Sequence, residues 1–324
     1  MANGTPAYSA LVDEVINMLE CGEMPWRKPW VVERPRNLFT RKAYHGSNVL
    51  ALTLVASKRG YVSNWWLTER QAIKRSGCVR AEELDHPASI SMMYWHPYMT
   101  LSKLGKPVRV SVLRGRDYRV YNIEQTRGLG RLLPEQMSLE LWPSKARHIV
   151  DTWREAPTLT TDPQRAFYSP ARDVIALPPA ESFTSTSEYY STLFHEMVHS
   201  TGHCSRLGRY KSVDTDNRFG SESYAFEELV AELGAVFLCA EAGLANQTLQ
   251  NNAAYIGSWL HVLRRNKSKL FIASVQAEHA CNFVLGRKTL EKKSEAGTAP
   301  EPAMPDDAAA CDLGRDHFAV ARAA

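Results

Sequence analysis

No stretch of this chain approaches the roughly 18 uninterrupted apolar residues of a membrane helix, and its opening, MANGTPAYSA, has no basic segment followed by an apolar one. A membrane-embedded or secreted protein is therefore not expected. CxxC pairs are missing as well. The six cysteines, Cys21, Cys78, Cys204, Cys239, Cys281 and Cys311, lie far apart, which argues against a zinc ribbon or a dithiol redox site and fits reduced thiols in a cytoplasm. Strong net charge is also absent. The 324 residues carry +4, with 44% apolar and 23% charged residues, an ordinary globular composition on a chain too long for one core, so two domains are expected. No internal repeat is found.

The small net charge hides an asymmetry. Residues 1–145 hold 21 Lys and Arg against 13 Asp and Glu, a balance of +8, whereas residues 146–324 hold 18 against 22, or −4. A basic half suits a polyanionic partner, although charge alone does not separate nucleic acid from a merely solvated face. In that half, Leu11, Val15 and Leu19 form one stripe of a helix over residues 6–20 that ends at Gly22. A second helix is expected at about 47–59. A third is announced by the capping box Thr68-x-x-Gln71 and closes at Gly77. VRVSVLRG and DYRVYNIEQ alternate well enough for two strands with a hairpin turn around Arg114 to Asp117. Later come a helix at about 143–155, short strands near Thr158 to Thr160, Ala166 to Ser169 and Val174 to Leu177, and helices at about 185–203, 220–242, 251–265 and 268–290. The strand near Val174 is expected to be an edge to which an extended peptide could add. Residues 294–324, rich in Ala, Pro and acid, read as a disordered tail.

The strongest chemical signal is His195-Glu196-Met197-Val198-His199. On a helix, positions i and i+4 face the same way, so both imidazoles can reach one metal ion and Glu196 can act as general base on the water it activates. With ten histidines and 23 glutamates, chance gives such a pattern about 0.02 times per chain, so two unrelated surface histidines are a poor explanation. A tetrahedral catalytic site needs a third ligand. The metzincin position for it, six residues past His199, is Ser205. Glu227-Glu228-x-x-Ala231-Glu232 resembles the Asn-Glu-x-x-Ser-Asp signature of the thermolysin-like gluzincins. That resemblance implies Glu228 as the third ligand and Glu232 as the acid that fixes an imidazole tautomer, with zinc or another divalent transition metal such as manganese as cofactor. Glu222 and Glu227 read as a solvated helix face. Tyr224, four positions before Glu228, is either a donor to a developing oxyanion or a core tyrosine. His203 is either an alternative ligand or a surface histidine past the helix end at Gly202.

Longer stretches carry a family resemblance. FYSPARDVIALPPAESFTSTSEYYSTLFHEMVHSTGHCSRLGR and FGSESYAFEELVAELGAVFL are similar to the metallopeptidase domain of ArdC-type plasmid antirestriction proteins, also found in phage polyvalent proteins. PWRKPW, PRNLFTRKAYHGSNVLAL, WLTERQA and YRVYNIEQTRGL resemble the single-stranded-DNA-binding domain that these proteins share with the N-termini of TraC-type primases. The resemblance spans roughly residues 6–290 and departs at HPASISMMYWHPYMTLSKLGKP. It implies an α+β fold of two domains: a single-stranded-DNA-binding α+β module at 1–142, and a mainly helical, gluzincin-type metallopeptidase module with a small sheet at 143–293.

Sequence-independent binding to single strands takes cations along the backbone and aromatic faces for the bases. Residues 26–45 interleave Trp26, Arg27, Lys28, Trp30, Arg34, Arg36, Arg41, Lys42 and Tyr44 in that way. By composition alone, tryptophans of such a loop more often cover a core edge; the resemblance favours binding. Of Trp65 and Trp66, one is expected to face solvent and the other the core, and Trp65 joins the binding set. Asn48 and Gln71 read as helix-start residues before DNA contacts. The expected role is protection of single-stranded plasmid DNA, entering by conjugation, from host restriction. Competing readings are a DNA-recruited protease whose protein substrate the sequence does not name, a DNA-binding protector with an inactive metal site, and a fragment accessory to a primase.

Overall fold

The structure, a computed structural model, describes residues 5–26, 33–101, 107–133, 142–211, 221–244 and 253–287; the expected tail at 294–324 and the expected boundary beside residues 134–141 lie outside them. The described residues fall in one compact unit. No helix among them is long and apolar enough to cross a membrane.

Helix α1 (Pro6–Glu20) starts where the Thr5 side chain accepts from the Tyr8 amide and Pro6 presets the first turn. Helix α2 (Ser47–Arg59) stops at Gly60, which is left-handed at φ 70°. Thr68 and Gln71 form the expected capping box of α3 (Glu69–Lys74). A four-stranded sheet holds β1 (Arg36–Asn37), β2 (Trp65–Leu67), β5 (Pro107–Asn122) and β4 (Ala88–Leu101) in that order, and β3 (Cys78–Val79) pairs separately with β6 (Thr126–Arg127). The expected turn at Arg114 to Asp117 is not there. One strand, β5, runs through Gly115, which stands opposite Met93, and its antiparallel partner β4 is built from the segment at which the family resemblance departs. Gly115 does not adopt the positive φ that a two-residue hairpin turn demands.

The second half begins with α4 (Trp142–Thr152) and a three-stranded sheet of β7 (Thr158–Thr161), β8 (Phe167–Ser169) and β9 (Val174–Leu177). Its order is β7-β9-β8, so the strand at Val174 is central rather than an edge. Four helices follow: α5 (Thr186–Thr201), α6 (Glu222–Ala242), α7 (Ala253–Arg265) and α8 (Ser268–Val284). Helix α5 is buried continuously from Ser191 to Val198, and α6 is buried on most of its circumference, the pattern of helices inside a core rather than on its surface.

The largest apolar core crosses the two halves. Tyr8, Val12, Val15 and Leu19 of α1 and Val49, Leu50 and Leu54 of α2 join Phe194 of α5, Leu229 of α6, Trp259 of α7 and Ala277 of α8. The Tyr8 hydroxyl donates to the Lys267 carbonyl at 2.6 Å and accepts from the Phe271 amide at 2.8 Å, tying α1 to the start of α8. Deeper in this seam, Arg34 is 1% exposed. It donates to both oxygens of Glu278, at 2.9 and 3.1 Å, and lies 5.0 Å from the centre of the Phe237 ring. Arg34 belongs to the basic stretch expected to face DNA; burial and pairing take it out of that role.

Candidate functional site

The site is set by how closely α5 and α6 approach. A Cβ on Gly234 would lie 2.6 Å from Val198 Cγ2, inside any real contact, so only glycine lets α6 lie this near the histidine helix. At this separation the acids of α6 meet the imidazoles of α5. His195 Nε2 and His199 Nε2 are 3.0 Å apart, and each lies 3.5 Å from a carboxylate oxygen of Glu228. Donors held at about 2.0–2.1 Å from one ion in a tetrahedron are separated by roughly 3.3–3.4 Å. The three side chains therefore present ligand atoms at spacings close to those around a small divalent metal, with a different Glu228 oxygen nearest each imidazole. Among the described residues, no other group of three or more His, Cys, Asp or Glu side chains comes this close.

The electrostatics agree. Burial pushes the Glu228 carboxyl upward, but the charge of His199 and hydrogen bonds with both imidazoles outweigh it and leave the group well below the usual carboxylate range. Burial lowers His199, and Glu228 and Glu227 raise it well above an ordinary imidazole. Glu232 is 1% exposed; neither of its oxygens has a hydrogen-bond partner, and Oε1 lies 4.0 Å from the equally unpartnered Nδ1 of His195. An imidazole nitrogen and a carboxylate left facing each other in a core suit a histidine whose other nitrogen is committed to a metal. Glu196 sits in the same buried turn. The Tyr224 hydroxyl is 3.3 Å from that of Tyr255, and burial followed by the nearby Glu228 charge raises its pKa. His203 stands apart, 2.7 Å from the Ser205 hydroxyl.

The basic loop is divided by the fold. Arg27, Lys28 and Trp30 lie outside the described residues. Trp26 is 4% exposed and meets Trp259 edge-on at 5.6 Å between ring centres, so it is a core residue in place of the expected stacking face. Tyr44 is half-buried, packs against the core and accepts from Asn37 Nδ2 at 3.5 Å, which turns it inward too. Arg36, Arg41, Lys42 and Trp65 keep exposed or half-exposed positions. The Arg41 guanidinium lies 5.0 Å over the Trp65 ring and donates to the Leu132 carbonyl at 2.7 Å. Trp66 is fully buried, Gln71 is spent in the cap, and Asn48 exchanges hydrogen bonds with the Ser91 backbone. Trp26→Ala is accordingly expected to cost about 3–5 kcal/mol of stability, read as a lowered melting temperature, with unchanged single-strand affinity in the fraction that stays folded.

Residues 5–123 match the model of the N-terminal domain of the anti-restriction factor ArdC, and residues 148–276 match that of a zincin-like metallopeptidase. The solved antirestriction ArdC protein from the R388 plasmid, in its metal-free form, is 31% identical. That likeness covers 88% of this chain and 100% of the other, with a TM-score of 0.66. The chain belongs to the ArdC antirestriction family. The Mn(II)-bound form of R388 ArdC is 33% identical over 86% of this chain and 97% of its own, at a TM-score of 0.64. A DNA primase TraC of Escherichia coli is 32% identical over 97% of this chain, which spans only 30% of that primase. An uncharacterised protein of Sinorhizobium fredii is 28% identical over 90% of this chain and 95% of its own length.

Two residues of this ArdC-family site are not foreseen from the sequence. Glu227, expected on a solvated face with Glu222, is 8% exposed and ion-paired with Arg209; Glu222 is exposed as expected. The available signal was the company Glu227 keeps: an acid followed by Leu229, Val230, Ala231 and Leu233 on a largely apolar helix must find a partner. Tyr255 on α7 stacks on Trp259 at 5.8 Å, and nothing in its local sequence marks it.

Proposed function

We propose that this chain is an antirestriction protein that binds single-stranded DNA entering by conjugation, shields it from host restriction, and carries a divalent-metal centre of metallopeptidase type. The observation that carries the reading is the convergence of His195, His199 and Glu228 on one ion's volume, in a chain alike over the whole of an antirestriction ArdC protein. On this reading zinc or manganese is held by those three side chains, and Glu232 orients His195. The ion, when bound, supplies Lewis acidity at neutral pH. Glu196 takes the proton of the attacking water and passes it to the leaving amine of a polypeptide substrate. The Tyr224 hydroxyl donates to the developing oxyanion. Arg36, Arg41, Lys42 and Trp65 contact the DNA, with Arg27, Lys28 and Trp30 on the same loop, in a cytoplasmic setting.

The test compares Glu196→Gln with the parent in protecting incoming plasmid DNA from a restricting host. At least a tenfold loss of protection is expected, with single-strand affinity retained. Equal protection by the two would remove hydrolysis from the role and leave the DNA-binding protector. For the DNA arm, Arg41→Ala or Lys42→Ala should flatten the salt dependence by about 0.7 per lost phosphate contact.

A further inference from the structure

A histidine that gives Nε2 to a metal carries its proton on Nδ1, and the acceptor of that proton sets the ring's orientation and basicity. Glu232 faces Nδ1 of His195. For His199, Nδ1 lies 3.6 Å from Glu227 Oε1. Glu227 directly precedes Glu228 on α6, so a single turn of that helix presents one carboxylate to both Nε2 atoms and another to the far side of His199.

Glu227 is itself held. Arg209 donates to it through Nε at 3.1 Å and Nη2 at 2.5 Å, and the same guanidinium donates to Thr201 Oγ1 at 2.7 Å and to the Val198 carbonyl at 2.8 Å. Its neighbour Tyr210 donates to the carbonyl of His199 at 2.6 Å. A Cβ on Gly202 would lie 2.7 Å from the Tyr210 ring, so the helix end is shaped to admit it. Carbonyls in the last turn of a helix lack the backbone amides of a following turn. Arg209 and Tyr210 add donors to the carbonyls of Val198 and His199, which also accept from the Thr201 hydroxyl and the Gly202 amide, and Arg209 fixes the acid beside His199.

We propose that Glu227, locked by Arg209, is the positioning residue of His199, the counterpart of Glu232 at His195. The two imidazoles are thus oriented by separate carboxylates of one helix, and the segment after α5 sets the geometry of the centre. The inference rests on the metal reading above. A purely structural alternative makes Arg209 and Glu227 a buried clasp between α5 and α6 and nothing more.

Removing one partner alone would leave a buried charge unpaired, so the decisive variants neutralise both. Arg209→Met with Glu227→Gln keeps an acceptor facing His199; Arg209→Met with Glu227→Leu does not. Co(II) is the probe, read by titration and by its d–d absorption, alongside the melting temperature of the metal-free proteins. The leucine pair is expected to bind Co(II) about 10- to 100-fold more weakly than the glutamine pair and with an altered spectrum, at similar melting temperatures. Glu227→Asp, which keeps the charge for Arg209 but withdraws it from His199, should weaken binding in the same direction and covers the case in which the leucine pair does not fold. Equal affinities and identical spectra across these variants would overturn the inference and leave the metal centre standing. Failure of the parent chain to take up one Co(II) would overturn the metal reading itself.

Discussion

Replacing both imidazoles, as His195→Ala with His199→Ala, is expected to abolish binding of one divalent ion per chain, while Glu196→Gln binds it as the parent does. The asymmetry follows from the geometry. Both Nε2 atoms and the Glu228 carboxylate lie within 4.8 Å of one another, and Glu196 is not a member of that group. Equilibrium dialysis with elemental analysis measures the stoichiometry. Glu228→Ala, which removes one of three ligands, should weaken binding more than Glu232→Ala, for which about 10- to 100-fold is expected from loss of an orienting acid. The reverse order would mean that Glu232 is the ligand and Glu228 the orienting group.

The second large effect concerns the seam between the halves. Burial pushes Glu278 upward, but hydrogen bonding with His45 and the charge of Arg34 bring it down from 4.5 to about 2. A carboxyl whose pKa is depressed on folding contributes stability that is complete above its unfolded value and is lost as pH falls through its folded value. The window here runs from about 4.5 down to about 2, and the contribution at neutral pH is on the order of 3 kcal/mol. Glu278→Ala also strands the buried Arg34 guanidinium and is expected to cost about 3–5 kcal/mol. Urea unfolding between pH 2 and pH 7 reads both effects. The parent should lose stability steeply across the window and the variant should lose less. Parallel curves would assign the acid sensitivity to other carboxylates.

What could be read from the sequence was local. The cap at Thr68, the stops at Gly22 and Gly77, and apolar stripes fix the helices to within a few residues, because each signal lies inside or beside the element it bounds. The His195/His199 spacing marks two candidate ligands for the same reason, and the likeness of residues 227–232 to the gluzincin signature implies Glu228 as the third. Partners distant in sequence decide the rest. Trp26 leaves the DNA surface because Trp259 receives it, and Arg34 because Glu278 and Phe237 do. Glu227 leaves the solvated face because Arg209 pairs with it inside the core. The long pairing of β4 with β5 was hidden by Pro97, which argues against a strand, and by Gly115, which resembles a turn. The Tyr224–Tyr255 contact joins helices that neither residue's neighbours announce.

Anomalous diffraction from crystals of this chain grown with Mn(II) is the most direct test of the metal centre on which the account rests. One peak is expected within coordination distance of His195 Nε2, His199 Nε2 and the Glu228 carboxylate, with Glu232 and Glu227 facing the two Nδ1 atoms from outside. A metal bound elsewhere, or no peak between these three side chains at saturating Mn(II), would contradict it.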